Sequence, residues 1–184
     1  MVRFAPDYEH RVRCINFHIA LESWAKQAEQ AIVWYRQYFD WSTATATRRP
    51  QPATRLALTH KRIDADALFL LRDPTGIERV FVFEMANGTD TGRVLQKMQH
   101  ISQGIADGSI NRALSFAAGS AVRILFVFDC HRTAELVQAK AARLPILGDY
   151  LPHFYLKPID ELSADTFQHG WWSLERPSEM RLLF

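Results

Sequence analysis

The run RVFVFEMA at positions 79–86 constrains this chain more than any other stretch. Successive residues of a strand point to opposite faces, and here Val and Phe occupy both sets. Such a strand must be covered on both sides, which is the pattern of a central strand in a layered α/β sheet. AVRILFVFD at 121–129 has the same character. Two strands of this kind call for a sheet with helices packed on each face. The apolar content, 48% of 184 residues, is ample for one such core.

The remaining pattern fills in the layers. HRVRCINFHIALESWAKQAEQAIVWYRQYFD (10–40) predicts a long helix, or two joined near 27–30, with Val12, Ile15, Ile19 and then Leu21 or Trp24 at helical spacing. STATATRRPQPATR follows, and Pro50 and Pro52 stop any continuous helix. RLALTH and DALFLL read as strands joined through the basic KRID. RDPTGIER is a turn by composition, with Pro74 and Gly76 at adjacent turn positions. After RVFVFEMA and NGTDTG, the segment RVLQKMQHISQGIADG is helical, with Val94, Met98, Ile101 and Ile105 on one stripe. TAELVQAKAARL is a further helix and FYLKPI a short last strand. The order α-β-β-β-α-β-α-β predicts an antiparallel meander leading into a βαβ crossover, a mixed sheet flanked by helices. One domain over 8–170 is expected, with 171–184 as a C-terminal tail in which Trp171 and Trp172 serve packing.

Within this apolar frame the acids stand out. Asp66 opens one strand and Glu84 lies deep in its antiparallel neighbour, so a short hairpin brings the two to one end of the sheet. Two converging carboxylates repel unless a proton, a basic side chain or a metal intervenes. Hard oxygen ligands suit Mg²⁺ or Mn²⁺, and the main-chain carbonyl of Met85 is a natural third ligand. On the next helix Lys97 flanks the buried stripe, with Arg93 and His100 along its edge. A lysine there suits orienting or deprotonating a water, or stabilising charge on a phosphate in reaction. Simpler readings stand beside these: Asp66 as a strand-initiating residue or partner of Arg62, Glu84 in a structural ion pair with Lys97 or Arg93, and Lys97 as a solvated helix lysine. Asp129 reads as a cap or turn residue before Thr133 rather than a ligand. DCHR (129–132) contains a Cys-His pair without the other ligands of a zinc site.

The net charge, +2, does not announce a nucleic-acid binder, but its distribution is uneven. Between 42 and 63 lie Arg48, Arg49, Arg55, Lys61 and Arg62, and no acid. Cys14 and Cys130 are far apart and read as reduced, buried thiols of a cytoplasmic protein, with a single disulfide between them as the alternative. No apolar stretch approaches the roughly 18 residues of a membrane span, and MVRFAPDYEH lacks a secretory apolar run.

These residues resemble the replication-relaxation protein family. HRVRCINFHIALESWAKQ looks like the helix opening that family's H-x-L-x-V-N-D pattern, DADALFLL its PDA strand, and FEMANGT its E-x-D-x-G-T signature. RVLQKMQHI resembles its lysine helix with K-x-x-x-Y, and VRILFVFD its later strand. The ordered set Asp66, Glu84, Gly88-Thr89 and Lys97 carries most of the likeness, which spans 10–167. The family is similar to plasmid-mobilisation relaxases on the PD-(D/E)XK nuclease fold, so the resemblance implies an αβββαβ core, a divalent cation and nicking of DNA in plasmids or mobile elements. Carried over by position, Asp66 fills the D of PD and Glu84 the next acid. Three positions depart from the pattern: Ala65 stands for the Pro, Ala86 for the second acid of E-x-D, and Ile101 for the Tyr. In the nuclease fold a lysine often follows the acid by two residues; Ala86 holds that place, leaving the task to Lys97. The family's usual winged-helix domain would precede His10, so DNA recognition is expected from such a domain removed from the chain or from a partner.

The sequence thus predicts a PD-(D/E)XK nuclease-like α/β domain that hydrolyses DNA, with Asp66, Glu84 and Lys97 catalytic and Asp66, Glu84 and Met85 holding Mg²⁺ or Mn²⁺. Arg48, Arg49, Lys61, Arg62, Thr89 and Arg93 are expected to contact DNA, largely through phosphates. DNA, and possible relaxosome proteins, are the expected partners, with no membrane involved. Two other readings remain: a catalytically weak or inactive accessory DNA-binding protein on the same fold, and a regulator that binds only protein.

Overall fold

A computed structural model of the chain describes residues 8–40, 51–116, 122–176 and 180–181. Helix α1 covers Tyr8–Gln27 and strand β1 Ala31–Gln37. A small ribbon of β2 (Arg55–Ala57) and β3 (Arg62–Asp64) follows, then β4 (Ala67–Arg72) and β5 (Glu78–Ala86). Next come α2 (Thr91–Ala106), α3 (Ser109–Ala113), β6 (Val122–Phe128) and α4 (His131–Ala141). The chain closes with β7 (Phe154–Pro158), β8 (Trp171–Ser173) and β9 (Met180–Arg181). Among the described residues, seven strands make one mixed sheet in the order β1-β4-β5-β6-β7-β8-β9. The β1-β4 and β4-β5 pairs are antiparallel, whereas β5-β6 and β6-β7 are parallel.

Both faces of the sheet are covered, as the doubly apolar strands require. On one face Leu68, Leu70, Val80, Val82, Ile124 and Phe126 pack under Met98 and Ile101 of α2 and Val137 of α4. On the other, Phe69, Phe81, Phe83, Leu125 and Val127 meet Phe17, Leu21 and Trp24 of α1. Phe17 stacks on Phe83 with ring centroids 3.8 Å apart. The predicted stripe of α2 is the buried one: Met98 and Ile101 lie fully inside, with Val94 and Ile105 packed at its margins. The turn between β4 and β5 also forms as composition suggests, with the Asp73 carboxylate accepting from Thr75 and Ile77 main-chain N–H groups and Gly76 at φ 89°.

Four expectations need correction. The first helix does not run to residue 40. It ends at Gln27, where Glu29 adopts φ 54° and the Gln30 N–H reaches back to the Ala25 carbonyl at 2.8 Å, the six-to-one closure of a Schellman motif without its usual glycine. The β-branched and aromatic run after it becomes β1, the edge partner of β4. The buried face of α1 is Cys14, Phe17, Leu21 and Trp24, so Ile15 and Ile19 face outward instead of forming the core stripe. RLALTH supplies β2, which pairs only with β3 in the separate ribbon, so β1 takes the first place in the meander. Finally, the segment after 170 is not a tail: Trp171–Ser173 extends the main sheet beside β7, and Trp171 is fully buried. The expectation that Trp171 and Trp172 serve packing holds.

The ribbon is anchored beneath α2. Leu56, Leu58 and Ile63 join the apolar cluster on that face, and Gly104 lets Leu58 approach so closely that an added Cβ would lie 2.9 Å from its Cδ1. Lys61 and Arg62 stay exposed on the ribbon.

Candidate functional site

Glu84 is the acid inside the apolar run of β5 that the sequence advertises, and its surroundings explain how it is tolerated. Its parity along β5 matches Val80 and Val82, so its side chain enters the layer beneath α2. The residue is only 3% exposed. Lys97, one helical turn after Arg93, donates from Nζ to Glu84 Oε2 and, at 3.1 Å, to the main-chain carbonyl of Asp64. The second oxygen, Oε1, is buried and no donor among the described residues reaches it. Burial pushes the Glu84 carboxyl up to about 8; Lys97 opposes that rise, and the nearby charge of Asp66 adds to it.

Asp66 enters from the rim of the sheet, immediately before β4. Its Oδ2 accepts from the Met85 N–H at 2.7 Å and its Oδ1 lies 3.0 Å from His10 Nε2 on α1. The Asp66 N–H donates to the Phe83 carbonyl at 3.1 Å, which extends the β4-β5 ladder by one rung. Since N–H and C=O of one strand residue share an edge, the Met85 main chain faces the Asp66 side of β5. Asp66, Glu84, Met85 and Lys97 line a single cleft of about 440 Å³ together with His10, Asp64, Asn87 and Arg93. The pairing of Asp66 with Arg62 does not occur; Arg62 is exposed, while Arg55 takes the neighbouring Asp64 through two bonds of 2.6 and 2.8 Å.

The other expected site residues divide clearly. Arg93 lines the cleft, and its main-chain N–H donates to the Asp90 carboxylate that caps α2. Thr89 is exposed in the loop before α2 and is not among the residues lining the cleft. Lys61 and Arg62 lie on the ribbon, whose Asp64 borders the cleft. Arg48 and Arg49 lie outside the described residues. Asp129 is no cap of α4, whose N-cap is Cys130; it accepts from the Gly88 N–H at 3.0 Å and from Arg13 at 3.0 Å. Cys14 and Cys130 are free thiols, and burial raises the Cys14 thiol well above its ordinary range.

The donor set suits a hard divalent cation. Asp64, Asp66, Glu84 and Asp90 all line the cleft, as does Met85, and Oε1 of Glu84 is a buried oxygen that no donor among the described residues reaches. A cation there would supply the counter-charge that Lys97, bonded to the other oxygen, leaves unsupplied. The sequence reading missed His10, Arg13 and Asn87. His10 lay within the α1 motif that carried the resemblance, yet nothing in one dimension tied it to Asp66, 56 positions away.

In comparison with known proteins, no family model, no curated protein and no solved structure matches the chain. No helix among the described residues is long and apolar enough to cross a membrane.

Proposed function

We propose that this chain is a metal-dependent DNA phosphodiesterase, an endonuclease or relaxase-like nickase of PD-(D/E)XK type, acting in the cytoplasm on plasmid or mobile-element DNA. The observation that carries this reading is Glu84, a buried acid with one oxygen on Lys97 and the other reached by no donor among the described residues, in a cleft shared with Asp66. The order of α1, β1, β4, β5, α2 and β6 supports it, since Asp66 immediately precedes the second strand and Glu84 lies on the third strand of an αβββαβ series. It is also the reading to which the resemblance to the replication-relaxation family leads.

Asp66, Glu84 and the Met85 carbonyl would hold Mg²⁺ or Mn²⁺, which when bound supplies positive charge to the phosphate and makes a water more acidic. Lys97, held beside Glu84, would orient the attacking water and offset charge building on the phosphate oxygens. Arg93 in the cleft, and Lys61 and Arg62 on the ribbon, would hold the strand by charge, and Thr89, Arg48 and Arg49 are further candidates for phosphate contact.

The test is supercoiled plasmid with Mn²⁺. Wild type is expected to give nicked circles, and Glu84→Ala and Asp66→Ala none. A second reading, an accessory DNA-binding protein of a relaxosome, is favoured by Ala86, which removes the second acid of the signature. Its mark would be a metal-independent, salt-sensitive shift of DNA mobility without cleavage. If neither cleavage nor DNA binding is seen, both readings fail.

A further inference from the structure

His10, Cys14 and Asp66 place three ligand-type atoms within 4.8 Å of one another, which invites reading them as a transition-metal cage. The hydrogen bonds around His10 argue for a different role. Arg13 Nη1 lies 2.9 Å from Asn87 Oδ1. A guanidinium only donates, so the Asn87 atom facing it must be the carbonyl oxygen. The amide nitrogen of Asn87 therefore faces His10, 2.8 Å from Nδ1. An amide nitrogen also only donates, which makes Nδ1 the acceptor and leaves the ring proton on Nε2. That Nε2–H points at Asp66 Oδ1, 3.0 Å away, and has no lone pair for a metal. Turning the Asn87 amide over would set its N–H groups against Arg13, so the orientation is fixed from outside the histidine.

The chain of bonds has a firm anchor. The Nη1 of Arg13 also donates to Asp129 Oδ2 at 3.0 Å, and Asp129 in turn accepts from the Gly88 N–H. Glu9 lies 3.7 Å from the other terminal nitrogen of Arg13. Four separate parts of the chain thus converge: the end of β6, the loop after β5, the first turns of α1 and the start of β4. At the receiving end Asp66 has one oxygen held by His10 and the other by the Met85 N–H. Each carboxylate oxygen can accept two bonds, so both keep acceptor capacity after these are made.

We infer that Arg13, Asn87 and His10 form a positioning relay, anchored on Asp129, that sets the tautomer of His10 and holds the Asp66 carboxylate for a cation in the cleft. This rests on the cation reading of Asp66 and Glu84. His10 is then a positioning residue that acts through Asp66, and the cluster with Cys14 is not a metal cage. Outer partners of this kind commonly change metal affinity by about 10- to 100-fold.

The experiment is ¹⁵N-resolved NMR of the histidine rings in the full-length chain without metal, with His10→Gln used to assign the signals. The relay requires His10 to show a protonated Nε2 and a free Nδ1. Asn87→Asp offers only acceptors and is expected to bring a proton onto Nδ1 while Nε2–H still faces Asp66. Mn²⁺ binding followed by EPR should weaken about tenfold or more in His10→Ala and Asn87→Asp, and should be largely kept in His10→Gln, whose amide can still donate to Asp66. A wild-type proton on Nδ1, a Zn²⁺-induced shift marking ligation at Nε2, or full Mn²⁺ affinity in His10→Ala would overturn the inference. Failure of wild type to bind Mn²⁺ would sink the cation reading and the positioning role with it, whereas the metal-free ring pattern separately decides whether the bonded chain exists.

Discussion

Glu84 carries the energetic tension of the site, because a carboxylate taken from water into an apolar layer loses more than one lysine returns. With its carboxyl raised from 4.5 to about 8, the folded protein keeps a proton that the unfolded chain releases. Stability from this group is therefore fully present below about pH 4.5 and falls as pH rises towards 8. We expect the thermal midpoint of the metal-free protein to drop across that window, and Glu84→Gln to remove much of the slope. Melts at a series of pH values, with and without Mg²⁺, check this; an equal slope in the variant would refute it. Glu84 and Lys97 were legible in the sequence because an acid inside VFVFEMA is conspicuous and the lysine lies one short loop and helix turn away. His10, Arg13 and Asn87 were not, since their polar side chains sit in ordinary polar company along the chain and acquire meaning only where α1 crosses the ends of the strands.

Among the elements, the ribbon of β2 and β3 was read as part of the main meander because RLALTH alternates like a sheet strand. Its short length and its packing on α2 decided otherwise. The same packing gives a test: Gly104→Leu should drive the ribbon off the helix, costing about 1–3 kcal/mol in urea unfolding and stripping hydrogen-exchange protection from the ribbon first. Lys61 and Arg62 ride on this ribbon without buried partners to constrain them. If they meet phosphates, Lys61→Ala and Arg62→Ala should each lower the slope of log affinity against log salt by about 1, leaving sequence preference unchanged. At the α1-β1 boundary the sequence offered a break near 27–30 but not the change from helix to strand: the turn is made by Glu29 in a left-handed conformation that favours glycine, and no glycine marked it.

For the molecule as a whole, the doubly apolar strands dictated a sheet with layers on both sides, and that much followed from alternation alone. The extension past β7 did not, because WWS is too short to show a period. Trp171 now closes one end of the core, its indole N–H donating to the Phe167 carbonyl at 2.6 Å. Trp171→Ala should cost about 3–5 kcal/mol, and a chain stopped after Gly170 should fail to give a cooperative melt; retention of the wild-type midpoint in either would show that the last strands are dispensable. At the opposite border, the pairing of β1 with β4 slips out of register between Ile32 and Trp34, and Arg36 projects outward over the Trp34 ring. A kinked, positively charged border of this sort is a poor template for a stranger's backbone. At this edge the apolar strands behind β1 can therefore end without offering a ready seat to a further strand from a neighbouring molecule.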